Sequence, residues 1–482
     1  MKPLACSHWL RLAGLFLFHV TVVNAAVRPN IVFILSDDHT SQAWSCYGGR
    51  LAAYAHTPNI DRLAAEGAIL KNSFCTNAIC VPSRATILTG QYSHRNGVKT
   101  LKDAFDGRSD HVAKRLQALG YQTAIVGKWH LKTEPTGFDY WNIIKRQGRY
   151  HEPVLFEMTL DKGEVQEGSY STDVFTDKAL AWLDQRQSDR PFCLMLHFKA
   201  THEPWNYHPR HADLLEDAVI PEPESLLGRT GPKDSRVPGW PLEILTERMV
   251  KGGHGAEALR LSSADPLEIR RQSYQKFVKD FLRCGAAIDE NVGRVMAYLK
   301  RKGLVNQTVL VYTSDQGYFL GEHNYFDKRF MLEESLRMPF VIRYPAEIPS
   351  GTSVEAMVLN VDFAPTLLDY AGGEPSAAMQ GRSFRKVLKG EVPGDWRQAM
   401  YYRYFENSLP RPSHFGIRTH GHKLIYYDGL GEAPEAARWE FYDLGADPYE
   451  NVNRYDEVAG SPLIRDLKER LVQLQAEVGD AP

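Results

Sequence analysis

The chain lacks most of the features that would settle its role at a glance. Its 482 residues carry 57 Lys and Arg against 59 Asp and Glu, a formal net charge of -2, with the two signs interspersed. That excludes the basic footprint that nucleic acid demands, so a compact anionic ligand has to meet a local cluster of cations. Six cysteines (Cys6, Cys46, Cys75, Cys80, Cys193 and Cys284) are spread without close repeated pairs, which argues against a disulfide scaffold and against a zinc site. Sequence alone leaves open a pairing of Cys46 with Cys75 or of Cys193 with Cys284. No internal repeat or low-complexity tract stands out, and long apolar runs are missing.

One short apolar run stands at the start. Lys2, His8 and Arg11 precede residues 12–23, followed by Asn24-Ala25-Ala26. The run is shorter than the roughly 20 residues that span a bilayer. With Val23 and Ala25 obeying the small-residue cleavage rule, residues 1–25 read as a signal peptide. The expectation is an exported protein without stable membrane insertion, periplasmic or extracellular in a bacterium and lysosomal in a eukaryote.

With 43% hydrophobic and 11% aromatic residues the chain can bury a large core. Short β-branched runs at 30–36, 122–126, 192–199, 308–313 and 339–344 alternate with helical patterns, the mark of an α/β sheet with helices on both faces. Thr57 and Pro58 open a helix that Gly67 stops, a long helix is predicted over 267–302, and Asp362 caps one through Tyr370. Residues 209–265, rich in Pro, Gly and charge, read as a surface insertion near the site within a catalytic domain over 26–393. Over 394–482 the texture changes to strands at 400–405, 415–419 and 423–427. A final helix opens at Ser461-Pro462 with Leu463, Leu467, Leu471, Leu474 and Val478 on one face, giving a small antiparallel sheet with a covering helix.

Most polar residues of interest fall just past a predicted strand: Asp37 and Asp38 after the first, Lys128 and His130 after the second, His202 after the third, Asp315 and Gln316 after the fourth. Ligands of open α/β sheets bind at that edge, so four segments converge on one pocket. Asp37 and Asp38 by themselves read as a solvated turn. Together with Asp315 and Gln316 they form a hard-oxygen set suited to calcium, or less well to magnesium, and three carboxylates held together call for a cation.

Around Cys80 the chain reads Cys80-Val81-Pro82-Ser83-Arg84, then Ala85-Thr86-Ile87-Leu88-Thr89-Gly90. Four fixed residues at about one in twenty each arise by chance in such a length about three times in a thousand, so the alternative of an ordinary buried cysteine is disfavoured. The stretch resembles the signature of the type I sulfatase family, in which this cysteine becomes formylglycine. The resemblance extends to Arg28-Pro29-Asn30-Ile31-Val32, His56-Thr57-Pro58-Asn59-Ile60-Asp61, Gly127-Lys128-Trp129-His130, Ser314-Asp315-Gln316-Gly317, Asp327-Lys328-Arg329 and Phe441-Tyr442-Asp443-Leu444. It implies the alkaline phosphatase-like fold, which agrees with the sheet read above. Gln316 departs mildly, standing where family members often carry Asn or His.

The resemblance further implies that formylglycine 80, as its hydrate, is held at a metal by Asp37, Asp38, Asp315 and Gln316 and attacks the sulfur of a sulfate ester. Arg84 would orient it, Lys128 and Lys328 would bind sulfate oxygens, His202 would protonate the leaving oxygen, and His130 would deprotonate the second hydroxyl to expel sulfate. A formylglycine-generating enzyme is the implied maturation partner and a sulfated carbohydrate the implied substrate. Around this set His323 is evenly balanced between the pocket and elsewhere. Trp205, Tyr207 and His208 form either a sugar-stacking wall or ordinary packing, and Arg146, Arg149 and His151 either read a second anionic group or are solvated. The competing readings are a phosphodiester or phosphonate monoester hydrolase of the same superfamily and a non-enzymatic glycan binder.

Overall fold

The computed structural model describes residues 28–227, 242–408, 411–428 and 438–480; the leader lies outside them. Ten strands form one mixed sheet: β1 (Asn30–Asp37), β2 (Ala68–Leu70), β3 (Gln122–Lys128), β4 (Tyr140–Ile144), β5 (Val154–Glu157), β6 (Glu164–Val165), β7 (Phe192–Thr201), β8 (Thr308–Ser314), β9 (Phe340–Arg343) and β10 (Thr352–Val354). Their spatial order is β10-β2-β9-β8-β1-β7-β3-β4-β5-β6. The centre, β8-β1-β7-β3-β4, is parallel throughout, so these five strands end on one edge.

β1 shows why its sequence is apolar at every position from Ile31 to Leu35. Ile31, Phe33 and Leu35 enter one core while Val32 and Ile34 enter the other, because a parallel strand at the centre is covered on both faces. The first core also takes in Val112, Ala85 and Phe363 from helices on its side; the second takes in Phe175, Phe277 and Phe281. The expected long helix runs over Pro266–Arg301, its first turn capped by Asp265, which accepts the Leu267 N–H at 3.0 Å. The helix Pro58–Ala65 is capped otherwise than the sequence suggests. Thr57 makes no side-chain cap; Asp289 of the long helix accepts the Asn59 and Ile60 N–H groups at 2.9 and 2.8 Å.

The C-terminal strands Ala399–Tyr404, His414–Thr419, His422–Tyr427 and Arg438–Asp443 form an antiparallel sheet of four, one more than expected. The last helix, Pro462–Val478, buries Ile464 rather than Leu463, which is 36% exposed, beside Leu467, Leu471 and Leu474. Ile417, Leu424, Phe441 and Leu467 belong to the same core as Phe33 and Phe363, so the small sheet shares the large one's interior. Among the described residues of the 209–265 segment, a helix at Leu242–Val250 buries Leu242, Leu245 and Met249. Cys46, Cys75, Cys80, Cys193 and Cys284 are all free thiols, so neither conceivable pairing forms.

Candidate active site

The carboxyl edge of the parallel strands brings the expected residues together. Asp37 ends β1 and Asp38 follows it with φ 67°; Lys128 ends β3, and His130 follows with φ 61°. Side chains in this left-handed region are strained, and such strain gathers where surrounding contacts over-determine a site. Gly127 has a specific reason to be glycine: its φ is +103°, and a Cβ would stand 2.0 Å from the His197 carbonyl oxygen of β7.

Cys80 is the first residue of the helix Cys80–Thr89, which starts three residues earlier than Ser83, the start read from sequence. Position 80 therefore faces the positive end of the helix dipole. The signature's other fixed residues hold this helix against the sheet edge. Ser83 donates to the Asp315 carbonyl and accepts from Asn360 Nδ2 at 3.1 Å. Arg84 donates through Nε to Asp315 Oδ2 at 2.9 Å and through a terminal nitrogen to the Lys128 carbonyl at 2.8 Å.

Three carboxylates meet three cations here. Lys128 pairs with Asp37, Lys328 with Asp38 at 2.6 Å, and Arg84 with Asp315 at 2.9 Å. One ligand atom from each of Asp37, Asp38 and Asp315 nevertheless lies within 4.8 Å of the others, and the same holds for Asp37, Cys80 and His202. Cys80 Sγ donates to Asp37 Oδ1 at 3.2 Å. Gln316 Nε2 donates to Asp38 Oδ1 at 2.5 Å, and its Oε1 is buried without a partner. Since an amide's oxygen and nitrogen exchange by a half-turn, Gln316 offers an oxygen to a cation among the carboxylates. A hard-oxygen donor set of this spacing fits a divalent ion with ligand distances of roughly 2.3–2.6 Å.

Burial dominates the electrostatics. It pushes the Asp38 carboxyl up to about 6, with Lys328 opposing and Asp315 adding. It pushes the Cys80 thiol up to about 12, so an unmodified Cys80 is a neutral, poor nucleophile near pH 7. His202 is held well below the usual imidazole range by burial and then by Lys328, Lys128 and Lys199; His130 is held down by burial, Lys128 and Arg84. The Glu203 carbonyl, 2.8 Å from His202 Nδ1, fixes that nitrogen as a donor and leaves Nε2, 3.9 Å from Asp38 Oδ2, facing the cluster.

The outer candidates divide. Trp205 does not offer a sugar-stacking face: it is 1% exposed, its ring 4.7 Å from that of Phe277. Tyr207 is buried beneath Arg283, and His208 caps a short helix, so the aromatic cluster is packing. His323 is also not brought to the cluster. Its N–H bonds Ser225, its ring packs edge-on to Phe319, and the nearest charges are Glu322 and Asp447. Arg146 is exposed on the loop after β4. Two residues escaped the sequence reading. Gln147 accepts from Lys128 Nζ at 2.6 Å, and nothing in a loop glutamine signals this. Lys199 is a buried lysine in β7 whose Nζ lies 3.3 Å from the Glu203 carbonyl; a lysine within an apolar strand was the available signal.

An α/β sheet of this topology, with paired cations and carboxylates around a helix N-terminus at its carboxyl edge, defines a hydrolase of the alkaline phosphatase-like fold. The family model for sulfatases matches residues 29–373, and the model for the C-terminal part of N-sulphoglucosamine sulphohydrolase matches 321–477. The chain belongs to the sulfatase family and is a sulfuric ester hydrolase. It is 41% identical to the N-acetylglucosamine-6-O-sulfatase of Bacteroides thetaiotaomicron, over 94% of this chain and 87% of that one. A structure solved in complex with its substrate D-glucosamine-2-N,6-O-disulfate superposes with a TM-score of 0.86 at 38% identity, covering 94% and 98% of the two chains. The phosphonate monoester hydrolase of Agrobacterium radiobacter shares the fold at 20% identity and a TM-score of 0.73, over 94% and 96% of the chains.

Proposed function

We propose that the chain removes the 6-O-sulfate of a glucosamine-type sugar, using formylglycine at position 80 and calcium. The observation that carries the mechanism is the convergence of Asp37, Asp38 and Asp315 beside Cys80, with Lys128 and Lys328 at hand. The choice of sugar rests on the 41% identity to an N-acetylglucosamine-6-O-sulfatase along nearly the whole chain.

Asp37, Asp38, Asp315 and the Gln316 amide oxygen would hold the cation, which supplies Lewis acidity toward sulfate and nucleophile. Residue 80 would carry the formylglycine, whose hydrate would supply the nucleophilic hydroxyl. Arg84 orients residue 80 from its bonds to Asp315 and Lys128. Lys128 and Lys328 bind the sulfate oxygens. With the acids already paired to cations, an added divalent ion would make the site more positive, as an anionic ester requires. Burial and then the lysines hold His202 neutral; the ester's charge offsets the lysines' share, which favours a proton on Nε2 for the leaving alcohol. His130, kept neutral by burial and then by Lys128 and Arg84, is the imidazole assigned to the base. Export through the 1–25 leader fits this reading, and no helix among the described residues is long and apolar enough to cross a membrane.

The test is protein made together with a formylglycine-generating enzyme and offered N-acetylglucosamine sulfated at single positions. Sulfate should be released from the 6-O ester, and the peptide holding residue 80 should be about 18 Da lighter than the thiol form. Release from another position alone would overturn the sugar assignment, and activity from wholly unmodified Cys80 would overturn the mechanism.

A further inference from the structure

The loop after β4 is fastened to the candidate site at two points. β4 pairs with β3 so that Ile144 lies beside Lys128, and the chain then turns across the carboxyl edge. Gln147 Oε1 accepts from Lys128 Nζ at 2.6 Å, and three residues on the Tyr150 hydroxyl donates to the His202 carbonyl at 2.5 Å. The Tyr150 ring also lies 4.8 Å beneath Lys199 Nζ. Thus a single short loop touches the lysine proposed to bind sulfate and the backbone of the histidine proposed to protonate the leaving oxygen.

The loop's shape is fixed as well as its anchors. Gly148 has φ +63°, and a Cβ there would stand 2.4 Å from Ile144 Cδ1. Arg146 is held at φ 57°, a conformation costly for a side chain of its size. Arg146 and Arg149 project from this frame into solvent, and among the described residues neither has a carboxylate within ion-pair distance. The remaining charged neighbours are engaged or turned aside: Lys145 lies 4.2 Å over the Phe156 ring, His151 packs 5.2 Å from Tyr170, and Glu152 accepts the Gly168 N–H at 3.4 Å. Two guanidiniums without carboxylate partners, carried on a backbone held at both ends, suit a planar or tetrahedral oxyanion.

We propose that loop 145–151 is a second anion subsite, in which Arg146 and Arg149 read a sulfate or carboxylate on the substrate other than the ester being cleaved. It rests on the reading of a sulfated sugar as substrate. Guanidiniums bind both oxyanions, so the probes separate the sources. One is 6-O-sulfated glucosamine with or without a 2-N-sulfate, and the other is a 6-O-sulfated disaccharide with or without an adjoining uronate.

Replacing both arginines, Arg146→Ala with Arg149→Ala, should lower the kcat/KM ratio of doubly over singly anionic substrate about three- to tenfold, through KM. The loss should shrink above roughly 0.15 M salt, and the double Arg→Lys variant should recover part of it. The probe whose ratio falls identifies the oxyanion, and a ratio unmoved for both overturns the subsite. Calorimetric Kd ratios in a Cys80→Ala background, with and without the arginine replacements, read binding where turnover is absent. Weakened binding of the doubly anionic sugar without hydrolysis of any 6-O-ester by the wild type would keep the subsite and sink the substrate assignment. Hydrolysis with unmoved ratios would do the reverse.

Discussion

Two clusters of buried charge, similar in composition, serve opposite ends in this chain. At the sheet edge Asp37, Asp38 and Asp315 face Lys128, Lys328 and Arg84. Where the C-terminal sheet meets the catalytic core, Glu333 faces Arg418 at 3.0 Å, Lys423 at 3.1 Å and Arg337 at 2.6 Å, while Glu450 pairs with Lys423 at 2.6 Å and accepts the Glu333 N–H at 2.7 Å. The second cluster is closed: its charges are spent on one another and tie the small sheet to the large one. The first is open, with Gln316 Oε1 and His130 Nδ1 buried without a partner, whereas Lys423 Nζ and Glu450 Oε1 of the second, which also make no hydrogen bond, face each other as an ion pair at 2.6 Å. Desolvating ions is costly in either place. At the sheet edge, buried polar atoms left unmet beside paired ions are available to a ligand.

The largest effect that would break this contrast comes from deleting one acid in each cluster. Asp315→Ala should reduce kcat/KM by at least about 10⁴ and abolish calcium binding by titration calorimetry, since a ligand and the partner of Arg84 are lost together. Glu333→Ala should instead lower stability by about 3–5 kcal/mol in denaturant melts, because three cations lose their shared acid, while the folded fraction keeps its turnover. Equal losses of turnover in both variants would erase the distinction between closed and open clusters.

The two histidines sharpen the picture within the open cluster. His202→Ala should slow sugar sulfates by about 10²–10⁴ and an activated aryl sulfate far less, because a phenolate leaves without an acid. His130→Ala should spare the first step and block sulfate release by a similar factor, giving a phenol burst and a sulfated protein visible by mass spectrometry. Adduct accumulating in the His202 variant alone would exchange the two roles.

How much of this was legible in the sequence depended on whether a signal was local. The central strands announced themselves as apolar runs because parallel strands are covered on both faces, and most catalytic candidates stood one to four residues past them. Tyr140–Ile144 and Arg438–Asp443 were missed as strands, being short segments with polar or charged members whose partners lie elsewhere in the chain. Cys80 was legible through its neighbours, but the helix start was set three residues late, since Pro82 and Ser83 look like a beginning while Cys80 does not. Trp205 misled because composition cannot tell a stacking face from a core: only Phe277, 72 residues away, decides it. Gln147 was invisible for the same reason, its meaning residing wholly in Lys128.

The smallest effect tests whether the closed cluster is as fully paired as its distances imply. Burial pushes the Glu450 carboxyl up to about 7 despite Lys423, with the charge on Glu333 adding to the rise. An acid with a folded pKa above its unfolded value holds more protons when folded, so it lends stability that is complete below the unfolded pKa of about 4.5 and is lost as pH rises through about 7. Glu450→Gln keeps an acceptor for the Glu333 N–H and removes this titration. Relative to the variant, the wild type should therefore be more stable at pH 5 than at pH 8, by on the order of 1–2 kcal/mol, read from melting temperatures in a buffer series. A wild-type-to-variant difference that stays constant over this interval would mean that Lys423 compensates the burial of Glu450 fully. A difference that grows in favour of the wild type toward pH 8 would mean that the charged pair is net stabilising, and that this cluster strengthens the junction between the two sheets only when ionised.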